Sequence, residues 1–379
     1  MPVRKHIAIT IKPTLKCQRS CGHCYHLPEE RTGETISSEN LEKVIKLAAE
    51  EYQSAWFIWH GGEPLLMPLS FYRNAFNLQD KYFGKDSHRI INTVQTNGIN
   101  ISRRHLRFFA SKKVNVGVSY EGPYSNILRD MSGKTDEAVD LMVKNGSKFS
   151  VSCTISSETA DKQSEIYRWF RERRIAVSFS PVTPRGCGAP FVPDPDVYAE
   201  NSIALFDEWL YDRDTESPLM PHYLYVLNAL GKPVFSDCPH TSCLGGWLCV
   251  YPDGGLYPCA KGCPEKYYMG NIADIEKLSD AFLTEGFADI LEDTVERRDR
   301  CSSCEIYRYC AGGCSMDADC EGDVRDNGGN ACRIYKKVFS HIKETMDSIM
   351  EEKPDLAQYN RFVRDAVLGK LVNPSIVSL

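Results

Sequence analysis

Cys17, Cys21 and Cys24 stand in the segment Cys-Gln-Arg-Ser-Cys-Gly-His-Cys, just after the apolar stretch Ile7 to Ile11. Three thiolates this close in sequence can bind three irons of a cubane iron–sulfur cluster, which leaves the fourth iron without a protein ligand. An open iron can bind a small chelating molecule and pass it an electron, the starting condition for cofactor-driven radical chemistry. Zinc is the competing occupant. It favours closed sites of four ligands, so it would need His23 or His26 to complete the set.

The elements that must position these thiols are legible in the residue pattern. Apolar, β-branched stretches fall at Ile7–Ile11, Trp56–Trp59, Ile90–Val94, Val114–Tyr120, Phe149–Ile155 and Ala176–Phe179. Amphipathic stretches lie between them, at about Ser38–Glu50, Leu69–Tyr82, Ser102–Ser111, Thr135–Lys144 and Thr159–Arg173. Such alternation predicts an α/β fold with a parallel sheet and right-handed crossovers. Six units are fewer than the eight of a closed TIM barrel, so a partial (β/α)6 TIM-like barrel is expected, with its chemistry at the carboxyl ends of the strands. Cys17–Cys24 follows the first strand, on that face.

Residues 183–194 are rich in Pro and Gly and read as a loop, followed by a helix from about Val197 to Tyr211. From Cys238 to Cys332 the character changes to many cysteines and glycines with short elements. Metal ligands explain a small core there better than hydrophobic burial does. A helix over Ile334–Glu351 and a polar tail close the chain. The expected division is 1–233 (barrel and following helical segment), 234–335 (a small cysteine-rich iron–sulfur domain) and 336–379 (C-terminal helix and tail).

With 379 residues, 42% of them hydrophobic, the chain can bury a large core. A net charge of −6 argues against nucleic acid as a partner. No apolar run approaches the roughly 20 residues of a membrane helix. The opening Met-Pro-Val-Arg-Lys-His lacks the apolar core of a secretory signal, so a cytoplasmic location is expected. In a reducing compartment, sixteen cysteines point to metal ligation rather than disulfides.

The spacing Cys17-x-x-x-Cys21-x-x-Cys24 resembles the signature of the radical S-adenosylmethionine (SAM) superfamily. Gly61-Gly62-Glu63-Pro64, preceded by Trp59 and His60, closes the second strand as a matching element does in that family. The resemblance implies contact with the methionine amino group of SAM: an ammonium favours a carboxylate, and close backbone approach favours glycine. Gln95-Thr96-Asn97-Gly98 closes strand three and Ser119-Tyr120-Glu121-Gly122-Pro123 closes strand four. By the same resemblance Ser119 and Arg129 contact SAM, His23 lies by the adenine, and Val182 packs after strand six.

The run Cys301-x2-Cys304-x5-Cys310-x3-Cys314, with Cys243, Cys249, Gly254 and Cys259 upstream and Cys332 downstream, resembles the SPASM domain. That resemblance implies two auxiliary 4Fe–4S clusters, one on Cys243, Cys249, Cys259 and Cys314, the other on Cys301, Cys304, Cys310 and Cys332. With the SAM-binding cluster, the expected complement is three 4Fe–4S clusters plus SAM. Four thiolates saturate a cluster, so electron relay rather than substrate coordination is expected of both auxiliary clusters. Cys153, Cys187, Cys238, Cys263 and Cys320 remain. Cys153 reads as a buried apolar residue. Cys187, near the barrel mouth, and Cys263, close to a ligand, are candidate hydrogen donors to a substrate radical.

The implied reaction is reductive cleavage of SAM to a 5′-deoxyadenosyl radical, which takes a hydrogen atom from a substrate held close and dry. The pair of domains resembles anaerobic sulfatase-maturating enzymes and ribosomal-peptide maturases. One departure stands out: where the sulfatase-maturating enzymes carry an aspartate base after the third upstream cysteine, Cys259 is followed by Ala260. A base contributes about 10²–10⁴-fold, which argues against that same reaction unless another group serves; Asp237, Asp253 and His240 are near in sequence. The first reading is a maturase that oxidises or cross-links a peptide or protein side chain. The second is a dehydrogenase or epimerase of a small natural-product intermediate such as an aminosugar. A non-catalytic iron–sulfur or zinc carrier is the third, and the Gly61–Pro64 element speaks against it. A flavodoxin or ferredoxin electron donor is implied by the family.

Overall fold

The structure, a computed structural model, describes residues 5–85, 87–232, 243–322, 325 and 328–370. Strands β1 (His6–Ile11), β2 (Ser54–Trp59), β3 (Ile90–Thr96), β4 (Asn115–Ser119), β5 (Ser150–Ile155) and β6 (Ala176–Pro181) run parallel, each beside its predecessor. Helices α1 (Ser38–Glu51), α2 (Leu69–Phe83), α3 (Arg103–Ser111), α4 (Ser125–Leu128) with α5 (Ser132–Lys144), and α6 (Gln163–Glu172) form the crossovers. Ser37 and Ser102 start α1 and α3 by accepting from the backbone N–H groups of Asn40 and His105, which satisfies otherwise orphaned donors. The predicted six units are therefore present, and each strand boundary falls within two residues of its expected place.

The sheet does not stop at six. Its order is β6-β5-β4-β3-β2-β1-β7-β8, where β7 (Trp247–Val250) pairs parallel with β1 and β8 (Leu256–Tyr257) pairs antiparallel with β7. The cysteine-rich segment thus extends the barrel sheet beyond β1, and the hydrogen-bonded ladder crosses the expected 233/234 boundary. That segment also buries Leu248, Leu256, Ile272, Phe287 and Ile290 in the same apolar core as the barrel. The expectation that hydrophobic burial contributes little there is corrected: the short stretches are apolar enough to join a core already built by the sheet.

Helix α7 (Pro195–Tyr211) begins at Asp194, whose carboxylate caps two N–H groups, and α8 (His222–Ala229) follows. In the cysteine-rich part, α9 (Glu285–Cys301) is a long helix where short elements were expected. Its signal was present, since Phe287, Ile290, Thr294 and Arg297 recur at helical spacing and are buried. Next come α10 (Tyr307–Cys310), α11 (Ser315–Cys320) and α12 (Asn330–Glu352), which packs on α7 and α8. The expected polar tail instead holds α13 (Arg361–Val367), capped by Asn360, with Phe362 stacked near Trp209 and Tyr223. Four apolar residues in a seven-residue stretch among charged neighbours gave a weak signal, and tertiary packing decided the element. No helix among the described residues is long and apolar enough to cross a membrane.

Candidate active site

A cavity of about 460 Å³ opens at the carboxyl ends of the parallel strands. Cys17, Cys21 and Cys24, on the loop after β1, line it. Gly61 and Gly62, after β2, lie against that loop. A Cβ on Gly62 would sit 2.1 Å from the carbonyl oxygen of Leu15, and one on Gly61 would sit 2.3 Å from that of Thr14, so only glycine permits the approach. Two backbone hydrogen bonds then hold the contact, Gly62 N–H to Thr14 O at 3.0 Å and Glu63 N–H to Lys16 O at 2.9 Å.

The surroundings of the three thiols fit an anionic cluster with an open polar ligand. Donors face the sulfurs: the Arg19 backbone N–H and the Asn97 amide lie 3.4 and 3.7 Å from Cys17 Sγ, and Arg129 Nη1 lies 4.0 Å from Cys21 Sγ. Burial pushes the Cys17 and Cys24 thiols up, a cost that metal ligation removes by displacing the proton. Several buried polar atoms in the same wall have no protein partner: Arg19 Nε and Nη1, His23 Nδ1 and Gln95 Oε1. Buried polar atoms rarely stay unpaired, so a wall with four of them fits a polar ligand. His23 is held neutral, its pKa lowered to about 3 by burial and by the Arg129 charge.

The other residues expected to contact SAM divide into two groups. Ser119 and Val182 line the cavity, and Ser119 Oγ accepts from the Gln95 amide at 2.9 Å. Arg129 lines it as well, gripped by Glu121 through two 2.7 Å hydrogen bonds. Burial opposes the Arg129 charge, but Glu121 outweighs it and holds the pKa above its ordinary value. Glu63 is placed differently from these. Its carboxylate is fully buried and accepts from Leu65 N–H at 2.8 Å, Thr96 Oγ at 2.7 Å and Asn97 N–H at 2.8 Å. It fastens the β2 turn to the β3 turn rather than facing the cavity. Pro64 begins the short 3-10 turn Pro64–Leu66 behind it, also buried. In this element the two glycines, not the carboxylate, reach the cavity.

The opposite wall comes from the cysteine-rich segment: Cys243, Trp247, Cys259 and Lys261 face the same space. Cys249 lies on β7, in register with Thr10 of β1, and is within electrostatic reach of Cys259. Burial drives Cys249 up to about 12, and the nearby Lys12 cation opposes this. Further out, Cys310 lies among Cys332, Cys301 and Cys304, which together with burial push it up to about 11. Arg297, fully buried, sits within reach of Cys314, Cys301 and Cys310 and donates to Gly312 O and to Ser315 Oγ, both at 2.8 Å. All fifteen described cysteines are free thiols. Among the described residues no three His, Cys, Asp or Glu side chains converge on a single ion, so the grouping rests on locality.

Comparison with known proteins identifies the domain that carries this site. A sequence profile of the radical SAM superfamily matches residues 11–170. Residues 11–170 are a radical SAM domain. Over 88% of its length this radical SAM enzyme is 27% identical to the cysteine-type anaerobic sulfatase-maturating enzyme of Clostridium perfringens, covering 96% of that protein. It is 24% identical to the serine-type enzyme of Bacteroides thetaiotaomicron, with 93% of each chain covered. The structure of native anSMEcpe with bound AdoMet superposes with a TM-score of 0.79 at 26% identity, over 92% of this chain and all of that one.

In this radical SAM enzyme the cysteines outside the assigned sets are scattered. Cys153 is fully buried in β5, as expected. Cys187 N–H donates to Cys24 O at 2.9 Å, and Cys263 Sγ lies 3.2 Å from Cys259 O and 3.4 Å from Met316 Sδ; neither is among the cavity-lining residues. Cys320 is. Asp253 Oδ1 accepts from Gly255 N–H in a turn and does not line the cavity. Asp237, Cys238 and His240 lie outside the described residues. Sequence reading missed Lys12, fully buried after β1 with its Nζ 2.9 Å from Tyr251 Oη and 3.1 Å from His26 Nε2. It also missed the Lys261–Asp317 pair at 2.9 Å on the far wall. Neither belongs to a local motif, because each pairing joins segments distant in sequence.

Proposed function

We propose that this radical SAM enzyme oxidises a cysteine or serine side chain within a peptide or protein. The observation that carries this reading is the single cavity shared by the Cys17–Cys24 loop and the wall bearing Cys243 and Cys259. The sulfatase-maturating relatives of both the cysteine and serine type align along nearly the whole chain, and anSMEcpe has been solved with AdoMet and the Cp18Cys peptide. Cys17, Cys21 and Cys24 would hold the SAM-binding 4Fe–4S cluster. Gly61, Gly62, Ser119, Arg129, His23 and Val182 would border SAM. Cys243, Cys249, Cys259 and Cys314 would hold one auxiliary cluster, and Cys301, Cys304, Cys310 and Cys332 a second. When bound, these groups supply one-electron chemistry that ends in removal of a hydrogen atom from the substrate.

The chain's own contribution is placement and exclusion of water. The glycine turn brings backbone within contact of the cluster loop, which fixes one wall. Buried Arg129 places a permanent cation beside Cys21, favouring an anionic neighbour there. Val182 and Trp247 supply apolar surface that keeps a reactive carbon away from solvent. The epimerase alternative gains no support, since its candidate donors Cys187 and Cys263 do not line the cavity.

The test uses anaerobically purified, cluster-loaded protein with SAM, a one-electron reductant and synthetic peptides carrying one cysteine or one serine. The expected result is 5′-deoxyadenosine together with a carbonyl on the target residue, trapped as a hydrazone and located by mass spectrometry. An epimerised peptide carrying solvent deuterium, or deoxyadenosine formed only with small sugars, would overturn the reading.

A further inference from the structure

Oxidising a cysteine or serine side chain removes a proton as well as a hydrogen atom and an electron, so the cavity needs a group to take that proton. Ala260, beside Cys259, lines the cavity but has no titrating atom. Among the described residues lining the cavity there is one carboxylate, Asp317, at the start of α11. It is 8% exposed, and its Oδ1 accepts from Lys261 Nζ at 2.9 Å. Lys261 itself lines the cavity one residue past Ala260, so the ion pair spans the gap that the alanine leaves.

We infer that Asp317, which lines the cavity and accepts a hydrogen bond from Lys261, is the proton acceptor of the oxidation. This rests on the function proposed above and assigns a residue within it. The step balances as follows. The substrate Cβ–H hydrogen would pass as an atom to the SAM-derived 5′-deoxyadenosyl carbon, giving 5′-deoxyadenosine and a carbon radical next to the S–H or O–H group. That S–H or O–H bond then breaks with its proton passing to an Asp317 oxygen. One electron would leave to an iron–sulfur cluster held by the downstream cysteines, and a C=S or C=O double bond would form.

The groups facing Asp317 suit this role. Lys261, on the β8-to-α9 connection, neutralises it across the cavity wall. Cys320, one turn along α11, donates its thiol to the Asp317 carbonyl at 3.1 Å and leaves the carboxylate oxygens free of it. Arg185 also borders the cavity but is engaged by Asp319 at 2.5 Å, so it does not compete for Asp317. Cys259, Tyr225 and Glu321 lie within electrostatic reach, each uncharged or negative, leaving Lys261 as the near cation.

The experiment compares the loaded wild-type enzyme with D317N, D317E and K261M on the single-cysteine peptide. It measures oxidised peptide and 5′-deoxyadenosine separately, with the target Cβ deuterated. D317N should lower oxidised peptide by about 10²–10⁴-fold, the range for loss of a positioned base. Hydrogen abstraction should suffer far less, so the ratio of deoxyadenosine to product rises at least about 10²-fold. D317E should restore part of the coupling, and K261M should fall between. Product and deoxyadenosine falling together in D317N, with cluster absorbance retained, would overturn the inference, as would unchanged coupling in D317N. Failure of the wild-type enzyme to oxidise either peptide would instead overturn the proposed function. If D317N did not accumulate as folded protein, the coupling ratio of K261M decides: an unchanged ratio there rejects the inference.

Discussion

The two cysteine-bearing regions are built on opposite principles. The loop after β1 presents three thiols and surrounds them with polar atoms that the protein leaves unpaired, Arg19 Nε and Nη1, His23 Nδ1 and Gln95 Oε1. In the downstream group Cys310 and Cys332 each lie within electrostatic reach of Cys301 and Cys304, and the nearby Arg297 guanidinium is already bonded to Gly312 and Ser315. The first region keeps buried polar atoms without a protein partner beside its thiols, while in the second the neighbouring cation is engaged by the chain. An open metal site can bind and activate a small molecule, whereas a saturated one can only store or relay charge.

The largest effect that tests this contrast comes from removing thiols on one side at a time. Replacing Cys17, Cys21 and Cys24 together with Ala should abolish 5′-deoxyadenosine formation while the auxiliary iron signal persists. Replacing Cys310 and Cys332 with Ala should do the reverse, lowering iron content with SAM cleavage still measurable. Iron and sulfide analysis beside a deoxyadenosine assay reads both. Cleavage surviving the triple substitution would erase the distinction between the regions.

A middle-sized effect sharpens it. Arg129 and Glu121 form a buried ion pair at the open site, with side-chain exposures of 9% and 1%. Arg129→Met leaves the carboxylate buried and unpaired, which should cost about 3–5 kcal/mol in urea denaturation. The loss should appear with the auxiliary cluster spectra unchanged, since the pair belongs only to the barrel side. The smallest effect lies outside both regions, where the helices that follow the barrel pack on each other. His222 of α8 is fully buried beside Ser202 of α7, and burial lowers its pKa to about 4. Its unfolded form takes up a proton near pH 6.5 and its folded form does not, so stability falls as pH drops through that window. The loss should be about 2 kcal/mol at pH 5 relative to pH 7. His222→Gln should remove that share of the slope in melting temperature against pH.

Much of the barrel was legible because its code is local. Strands β1 to β6 are apolar runs bounded by amphipathic helices, and the thiol spacing 17, 21, 24 is written within eight residues. The cavity's far wall was not legible. Cys259, Lys261 and Asp317 reach the cavity because β7 pairs with β1 and carries the cysteine-rich segment over the mouth of the barrel. Glu63 shows the same limit from the other direction. Its place in a recognisable element suggested a ligand contact, but three buried donors, Leu65, Thr96 and Asn97, claim its carboxylate. Donors supplied by separate strand ends cannot be read from the element itself.

The amino-acid order alone specified a six-unit α/β barrel, three closely spaced thiols after its first strand, and a second cysteine array downstream. Periodic burial and short spacings encode those directly. Only the tertiary structure decided which polar atoms stay unpaired, which carboxylate lines the cavity and which is locked away, and that Cys243 and Cys259 share one space with the loop after β1. Those outcomes depend on hydrogen-bond partners and sheet pairings brought together from distant parts of the chain, and no local pattern records them.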